Sequence, residues 1–188
     1  MKTIPIWISN RHVHLSQQDA ALLFGQDYVM KKLKDLSQPG QYACEETISI
    51  KWPKGQIDGV RILWPYRKQT QVEILLADGF KLWTKAPIRL SGDLEGTPGI
   101  EIIWPTGSTT IDKGVIIAKR HLHMSLEEAQ EFGLQDGQCI SVKVTGERGL
   151  IFDNVIVRAN AEWALDMHID VEEGNAAGLG NGATGEIL

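Results

Sequence analysis

The stretch "SNRHVHLS", residues 9–16, returns at residues 118–125 as "AKRHLHMS". Both contain Arg-His-x-His-x-Ser, and the copies are shifted by 109 residues. Four of the five histidines, His12, His14, His121 and His123, fall inside the copies; His168 alone lies outside them. The likeness continues outward. Each copy follows a β-branched run, "TIPIWIS" (3–9) or "GVIIA" (114–118), and precedes a helical stretch, "SQQDAALLF" (16–24) or "SLEEAQEF" (125–132). Ser16 and Ser125 are placed to cap those helices, because a serine hydroxyl accepts from the exposed N–H groups of the first turn. Glu128, three residues after Ser125, completes a capping box. Phe24-Gly25 and Phe132-Gly133 close the helices, with glycine suited to a left-handed C-cap. Strand, His-x-His, capped helix, twice in one chain, implies two related β-rich units.

The rest of the chain reads mostly as strand. "TISIKW" (47–52), "GVRILW" (59–64), "TQVEILL" (70–76), "GIEIIW" (99–104), "QCISVKV" (138–144) and "GLIFDNVIVR" (149–158) are β-branched and bounded by Gly, Pro or polar turns. A third helix is expected over residues 161–167. Many short strands and few short helices predict a mainly β protein, with two small β-barrel domains capped by short helices rather than a βαβ sheet. The 188 residues suffice for one domain or two small ones. A composition 43% hydrophobic and 23% charged is that of an ordinary globular protein. The net charge of -5 argues against nucleic acid as a partner. Cys44 and Cys139 form no CxxC and no disulfide framework, which suits a reducing compartment. "MKTIPIWISN" is too short for a signal peptide, and no apolar run approaches the ~18 residues that span a membrane. The expected location is cytoplasmic, with no membrane partner.

Residues i and i+2 share a face on a strand but not on a helix. At a rise of ~3.3 Å per residue, the two imidazoles of a His-x-His strand stand roughly 6.5–7 Å apart at Cβ. They can converge on one ion at Zn–N distances near ~2.1 Å. Regular alternation sends Arg11 and Arg120 to the opposite face unless the strand ends at the motif. The plainer reading of one pair is two half-buried histidines with satisfied hydrogen bonds; two pairs in matching frames favour metal. Each pair needs a third ligand, since a catalytic zinc keeps about three protein ligands and an open position. His168 in "DMHID" is the candidate for one pair and Glu73 in "TQVEI" for the other, the plainer reading of Glu73 being a solvent-facing side chain. Arg61, Arg67, Lys68, Arg89 and Ser91 form a cationic group suited to an anionic or phosphorylated substrate. An exposed charged hairpin explains the same residues.

Six motifs in chain order carry a resemblance: "NRHVHLS", "LSQPGQYACEETI", "VRILWPYRKQTQVE", "PIRLSGDLEGTPGI", "AKRHLHMS" and "MHIDVEEGNAAGL". Together they resemble the PduL-type phosphate propanoyltransferases, from residue 4 to about 180. The resemblance implies two β-barrel domains, residues 1–10 with 119–188 and residues 11–118, and a dinuclear zinc site between them. It implies acyl transfer between coenzyme A and inorganic phosphate, propanoyl or acetyl, in the setting of propanediol degradation. One Zn2+ would take His12, His14 and Glu73; the other would take His121, His123 and His168. Arg67 matches the phosphate-binding and catalytic arginine, with Arg89 and Ser91 beside it. Coenzyme A, as substrate, would run past Ser9, Lys34, Arg61 and Leu63 to Asn175, with Phe80 stacked on its adenine. Members that enter bacterial microcompartments often carry an N-terminal extension; this chain begins at its first strand, so a free cytoplasmic enzyme is expected unless an extension was removed. A homo-oligomer is a further expectation. Trp64 and Trp104 stand where the family has glycine, and Gly174 where it has alanine, so the acyl pocket could be reshaped. The expected chemistry needs no protein nucleophile; Cys44 and Cys139 have no spare histidine to serve as base. The alternatives are a zinc-dependent thioester or phosphoester hydrolase, for which no general base is evident, and a non-catalytic metal- or ligand-binding module.

Overall fold

A computed structural model describes residues 2–180 and 182–188. The expected domain limits include Met1 and Asn181, which lie outside the described residues. In chain order the elements are β1 (Lys2–Ser9), β2 (His12–His14), α1 (Gln17–Phe24), β3 (Lys32–Asp35), β4 (Tyr42–Trp52), β5 (Gly55–Trp64), β6 (Gln71–Glu73), α2 (Leu76–Leu82), β7 (Ile88–Arg89) and β8 (Ile100–Trp104). There follow β9 (Gly107–Ile111), β10 (Val115–Ala118), β11 (His121–Met124), α3 (Leu126–Phe132), β12 (Cys139–Val144), β13 (Leu150–Ala159), β14 (Asp166–Asp170), α4 (Val171–Ala177) and β15 (Thr184–Ile187). The protein is mainly β with short helices. Among the described residues no helix is long and apolar enough to cross a membrane.

The chain divides into two compact units. The first comprises Met1–Asn10, Ser37–Pro39 and Lys119–Leu188. Its strands close into a barrel in the order β1-β14-β11-β13-β12-β15, which removes free sheet edges. Alternation along the strands sends Ile4, Leu122, Met124, Val142, Val155, Val157 and Met167 into one core, all fully buried. Each such side chain contributes about 1.5–3 kcal/mol relative to exposure. The second unit, Arg11–Leu36 with Gly40–Ala118, is a half-barrel sheet in the order β7-β10-β6-β2-β5-β4-β8-β9, with β3 paired to β4. Val13, Leu15, Ile50, Ile62, Ile100 and Val115 fill its core.

The two units repeat each other more deeply than the His-x-His motif. β2 lies between β5, parallel, and β6, antiparallel; β11 lies between β13, parallel, and β14, antiparallel. Each unit carries a bulge where the hairpin strand turns through a left-handed residue, Gly59 (φ 69°) or Asn154 (φ 60°). Asp58 accepts from Ser49 Oγ at 2.6 Å, and Asp153 accepts from Ser141 Oγ at 2.6 Å. Arg11 Nε pairs with Asp78 of α2 at 2.7 Å, and Arg120 Nε with Glu173 of α4 at 2.7 Å. This second half of the repeat runs in a frame of 95 residues, as Gly59 and Asn154 show. The frame shortens because α1 and β4 are separated by a longer segment, including β3, than α3 and β12 are.

The Ser16 and Ser125 caps form as expected, accepting from Asp19 N and Glu128 N, and Glu128 closes its box on Ser125 N at 2.8 Å. Gly133 is a left-handed cap, but Gly25 has φ 98° and ψ 156°, outside that region. The expected helix over 161–167 does not form: that segment is a turn leading into β14. Pairing of β14 between β1 and β11 outweighs the local helix preference. The strand expected over 70–76 ends at Glu73, and α2 begins at Leu76.

Candidate active site

β2 and β11 are central strands, buried at every residue. Their period of two points Val13 and Leu122 into the cores and both histidines of each pair to the other side. Across the antiparallel neighbour, His12 pairs with Glu73 and His121 with His168. The third candidate ligand therefore occupies the same register position in both units. The donor atoms of His12, His14 and Glu73 lie within 4.8 Å of one another, as do those of His121, His123 and His168. In the first unit the rings of His121 and His123 meet edge-on at 4.6 Å, and their Nε2 atoms are 3.0 Å apart. In the second, His12 Nε2 is 3.3 Å from Glu73 Oε2, and His14 Nε2 is 4.0 Å from Glu73 Oε1.

These donor sets fit a divalent metal. His121 Nδ1 lies 2.8 Å from the Lys119 carbonyl, which can only accept. Neutral His121 therefore carries its proton on Nδ1 and turns the Nε2 lone pair inward, the tautomer a ligand needs. His14 Nε2 accepts from Arg67 Nη2 at 2.9 Å, so it too carries a lone pair. Burial, then the charges of Arg67 and His12, hold the His14 imidazole well below its ordinary range, so it is neutral at pH 7. Burial pushes Glu73 the other way, yet His12, His14 and Arg67 together hold its carboxyl well below the usual carboxylate range. Two imidazoles with one carboxylate, or three imidazoles, suit zinc and, equally, cobalt or iron.

Arg67 is fixed at the end of β2 by its backbone N–H, which donates to Leu15 O at 2.9 Å. Its guanidinium reaches His14 through Nη2 and Ser91 Oγ through Nη1. A guanidinium fork, of a shape suited to an anion, thus abuts the candidate metal cluster of the second unit. Arg89 does not join it: it pairs with Asp93 at 3.4 Å and donates to the Ile88 carbonyl. Among the residues expected to line coenzyme A, Arg61 stands opposite His12 in register and donates to the carbonyls of Cys44 and Glu45. Lys34 is exposed on β3, Leu63 is half-buried on β5, and Phe80 on α2 is 79% exposed. In the first unit Ser9 ends β1 opposite Asp170, and Asn175 is exposed on α4. A cavity of about 750 Å³ along α1, lined by Gln17, Gln18, Leu22, Tyr28 and Tyr66 among others, holds none of the expected site residues.

Trp64, Trp104 and Gly174 have a packing account. Trp64 stacks on Tyr42 at 5.6 Å and packs against Tyr66, and Trp104 packs against Phe24 at 4.6 Å. A Cβ on Gly174 would sit 2.9 Å from Ile8 Cδ1. Several residues at the clusters escaped the sequence reading. Ser37 Oγ lies 3.3 Å from His168 Nε2, Trp163 packs edge-on against His123 at 4.5 Å, and Gln71 and Asp166 flank the third ligands. The signal for the last two is their place two residues before Glu73 and His168.

Comparison with known proteins decides the kinship. The family model described as phosphate propanoyltransferase matches residues 5–180. The chain belongs to the phosphate propanoyltransferase family. A phosphate propanoyltransferase of Thermotoga maritima is 52% identical over 180 residues, 95% of this chain and 86% of the relative. Relatives of the same name from Clostridioides difficile and Rhodobacter capsulatus are each 49% identical, covering 98% and 96% of this chain and 88% and 84% of the relative. The family is one of acyltransferases, and this chain is an enzyme of that class.

Proposed function

We propose that the chain moves an acyl group, propanoyl or acetyl, from coenzyme A to inorganic phosphate, giving acyl phosphate and free coenzyme A. The observation that carries this reading is the Arg67 guanidinium, 2.9 Å from His14 Nε2 and bonded to Ser91, beside a metal-suited cluster. On this reading His12, His14 and Glu73 hold one Zn2+, and His121, His123 and His168 hold the second. Zinc supplies Lewis-acid stabilisation of negative charge when bound. Arg67 binds phosphate bidentately and orients it, while Ser91 donates to a further oxygen. A phosphate oxygen bonds to the thioester carbonyl carbon, the carbon–sulfur bond breaks, and the electron pair leaves with the thiolate of coenzyme A. Positioning and charge stabilisation supply the rate, so no side chain attacks.

One feature argues against a covalent intermediate on Cys44, and another against a hydrolase. Cys44 is fully buried, and burial pushes its thiol up to about 12. The acidic residues that could serve a hydrolase as base are engaged: Asp170 caps α4 by accepting from Glu173 N, and Glu173 pairs with Arg120. Coenzyme A is assigned to Ser9, Lys34, Arg61, Leu63, Phe80 and Asn175, and Arg89 to long-range attraction of phosphate. The two barrel domains expected from the resemblance, a homo-oligomeric state, and a place in the cytoplasm or a bacterial microcompartment belong to the same proposal. The test is product identity. Hydroxylamine added to a reaction of propanoyl-CoA with phosphate should trap propanoyl hydroxamate in step with coenzyme A release. Free propanoate as the sole product would make the protein a hydrolase instead.

A further inference from the structure

Gln71 is fully buried on β6, opposite His14 in register. Its amide is oriented without ambiguity. Oε1 accepts from the Gly92 backbone N–H at 2.8 Å, and a backbone N–H can only donate. Nε2 is therefore the other end, and it donates to Glu73 Oε1 at 2.6 Å and to Ser91 Oγ at 2.9 Å. Glu73 thus has Oε1 tied to the amide, while Oε2 faces His12. Ser91 Oγ accepts from both Gln71 and Arg67, which uses both of its lone pairs. What remains to Ser91 is its O–H, a donor.

We propose that Gln71 is a positioning residue that sets two groups at once: it confines Glu73 to a single metal-facing oxygen and makes Ser91 an obligate hydrogen-bond donor to phosphate. The inference rests on the reading of Arg67 and Ser91 as the phosphate site and of His12, His14 and Glu73 as a metal site. The first unit shows the complementary arrangement. There the residue opposite His123 is Asp166, whose Oδ2 lies 3.4 Å from His168 Nε2. A carboxylate third ligand is paired with an amide, and an imidazole third ligand with a carboxylate. Each unit thus sets one carboxylate beside one nitrogen-bearing side chain, and in the second unit the amide donates onward to Ser91.

The experiment compares wild type, Gln71→Leu, Ser91→Ala and the double variant. Two quantities are read: zinc affinity, by competition with a chromophoric chelator, and the Michaelis constants for phosphate and propanoyl-CoA. Gln71→Leu should weaken one of two zinc ions about 10–100-fold, the usual effect of losing an outer hydrogen bond to a ligand. It should raise KM for phosphate at least ~10-fold, with KM for propanoyl-CoA within ~2-fold, as expected for a lost charge-assisted contact. In the Ser91→Ala background the effect of Gln71→Leu on phosphate should fall below ~2-fold while the zinc effect persists, because the amide acts on phosphate only through Ser91. A merely structural role would raise KM for phosphate by the same factor in both backgrounds, and that result overturns the proposal, as does unchanged zinc affinity. If Gln71→Leu fails to fold, Gln71→Asn keeps the amide one methylene short and should show the same pattern in weaker form. Wild-type protein that binds no zinc, or releases coenzyme A regardless of phosphate, overturns the underlying reading and this proposal with it. Normal wild type with unmoved variants overturns the proposal alone.

Discussion

Replacing Arg67 by alanine removes the guanidinium that lies 2.9 Å from His14 Nε2 and donates to Ser91. A bidentate arginine–phosphate contact is two charge-assisted hydrogen bonds, each of about 1.5–3 kcal/mol. Their sum, about 3–6 kcal/mol at roughly 1.4 kcal/mol per decade, is a loss of about 10²–10⁴ in kcat/KM for phosphate. The fold should survive, because the bond that fixes this residue beside β2 runs from its backbone N–H to Leu15 O. Metal should stay bound as well. His14 is held neutral first by burial and only then by Arg67, so removing the arginine raises its basicity without protonating it at pH 7. Arg67→Lys keeps a point charge but not the fork, and should recover only part of the loss. The assay is initial-rate coenzyme A release against phosphate concentration, with metal content and thermal midpoint measured on the same samples. An Arg67→Ala enzyme within threefold of wild type, metal retained, would refute the placement of phosphate.

Other outcomes follow from the same structure. At pH 8 one thiol of the native protein should react quickly with a disulfide reagent, the exposed Cys139, and buried Cys44 only on unfolding; two fast thiols would contradict this. Because Cys44 has a folded-state pKa of about 12 against an ordinary 9.0, folding favours its protonated form. That contribution is complete below pH 9 and is lost as pH rises toward about 12, so Cys44→Ala should flatten the alkaline fall of the thermal midpoint. Leu122→Ala, which empties a fully buried site in the closed barrel, should cost about 2–5 kcal/mol in urea unfolding, and a cost under ~1 kcal/mol would contradict its place in the core. Chelation should stop turnover and added zinc restore it, while His12→Ala and His168→Ala should each bind one zinc fewer than wild type; unaltered stoichiometry in either would remove that residue from its site.

The parts of the protein legible in sequence are those that short-range chemistry determines. A His-x-His pair can share a face only on a strand, so the motif carried both its local structure and its partners' chemistry. Ser16 and Ser125 were readable as caps because the capping bond spans three residues. The segment "NAEWALDMH" (160–168) reads as helix because its composition favours one locally. What makes Asp166–Asp170 a strand is pairing with β1 and β11, the first of them more than 150 residues away. α4 did carry a signal, since Asp170 and Glu173 form a capping box. α2 carried almost none: the residue before it is Leu75, whose backbone N–H is met by Asp78 rather than by a polar cap. The deeper repeat hid for a simpler reason. Asp58-Gly59-Val60 and Asp153-Asn154-Val155 match, but in a frame of 95 rather than 109, so a search in one frame finds half of it. Gln71 and Asp166 become visible only when register places them opposite His14 and His123.

Thiol release from propanoyl-CoA by the purified, zinc-loaded protein, measured with and without inorganic phosphate, tests the central claim most directly. The account predicts release that requires phosphate and saturates with it. Release at the same rate without phosphate would contradict the account, because the fork at Arg67 and Ser91 would then have no substrate to hold.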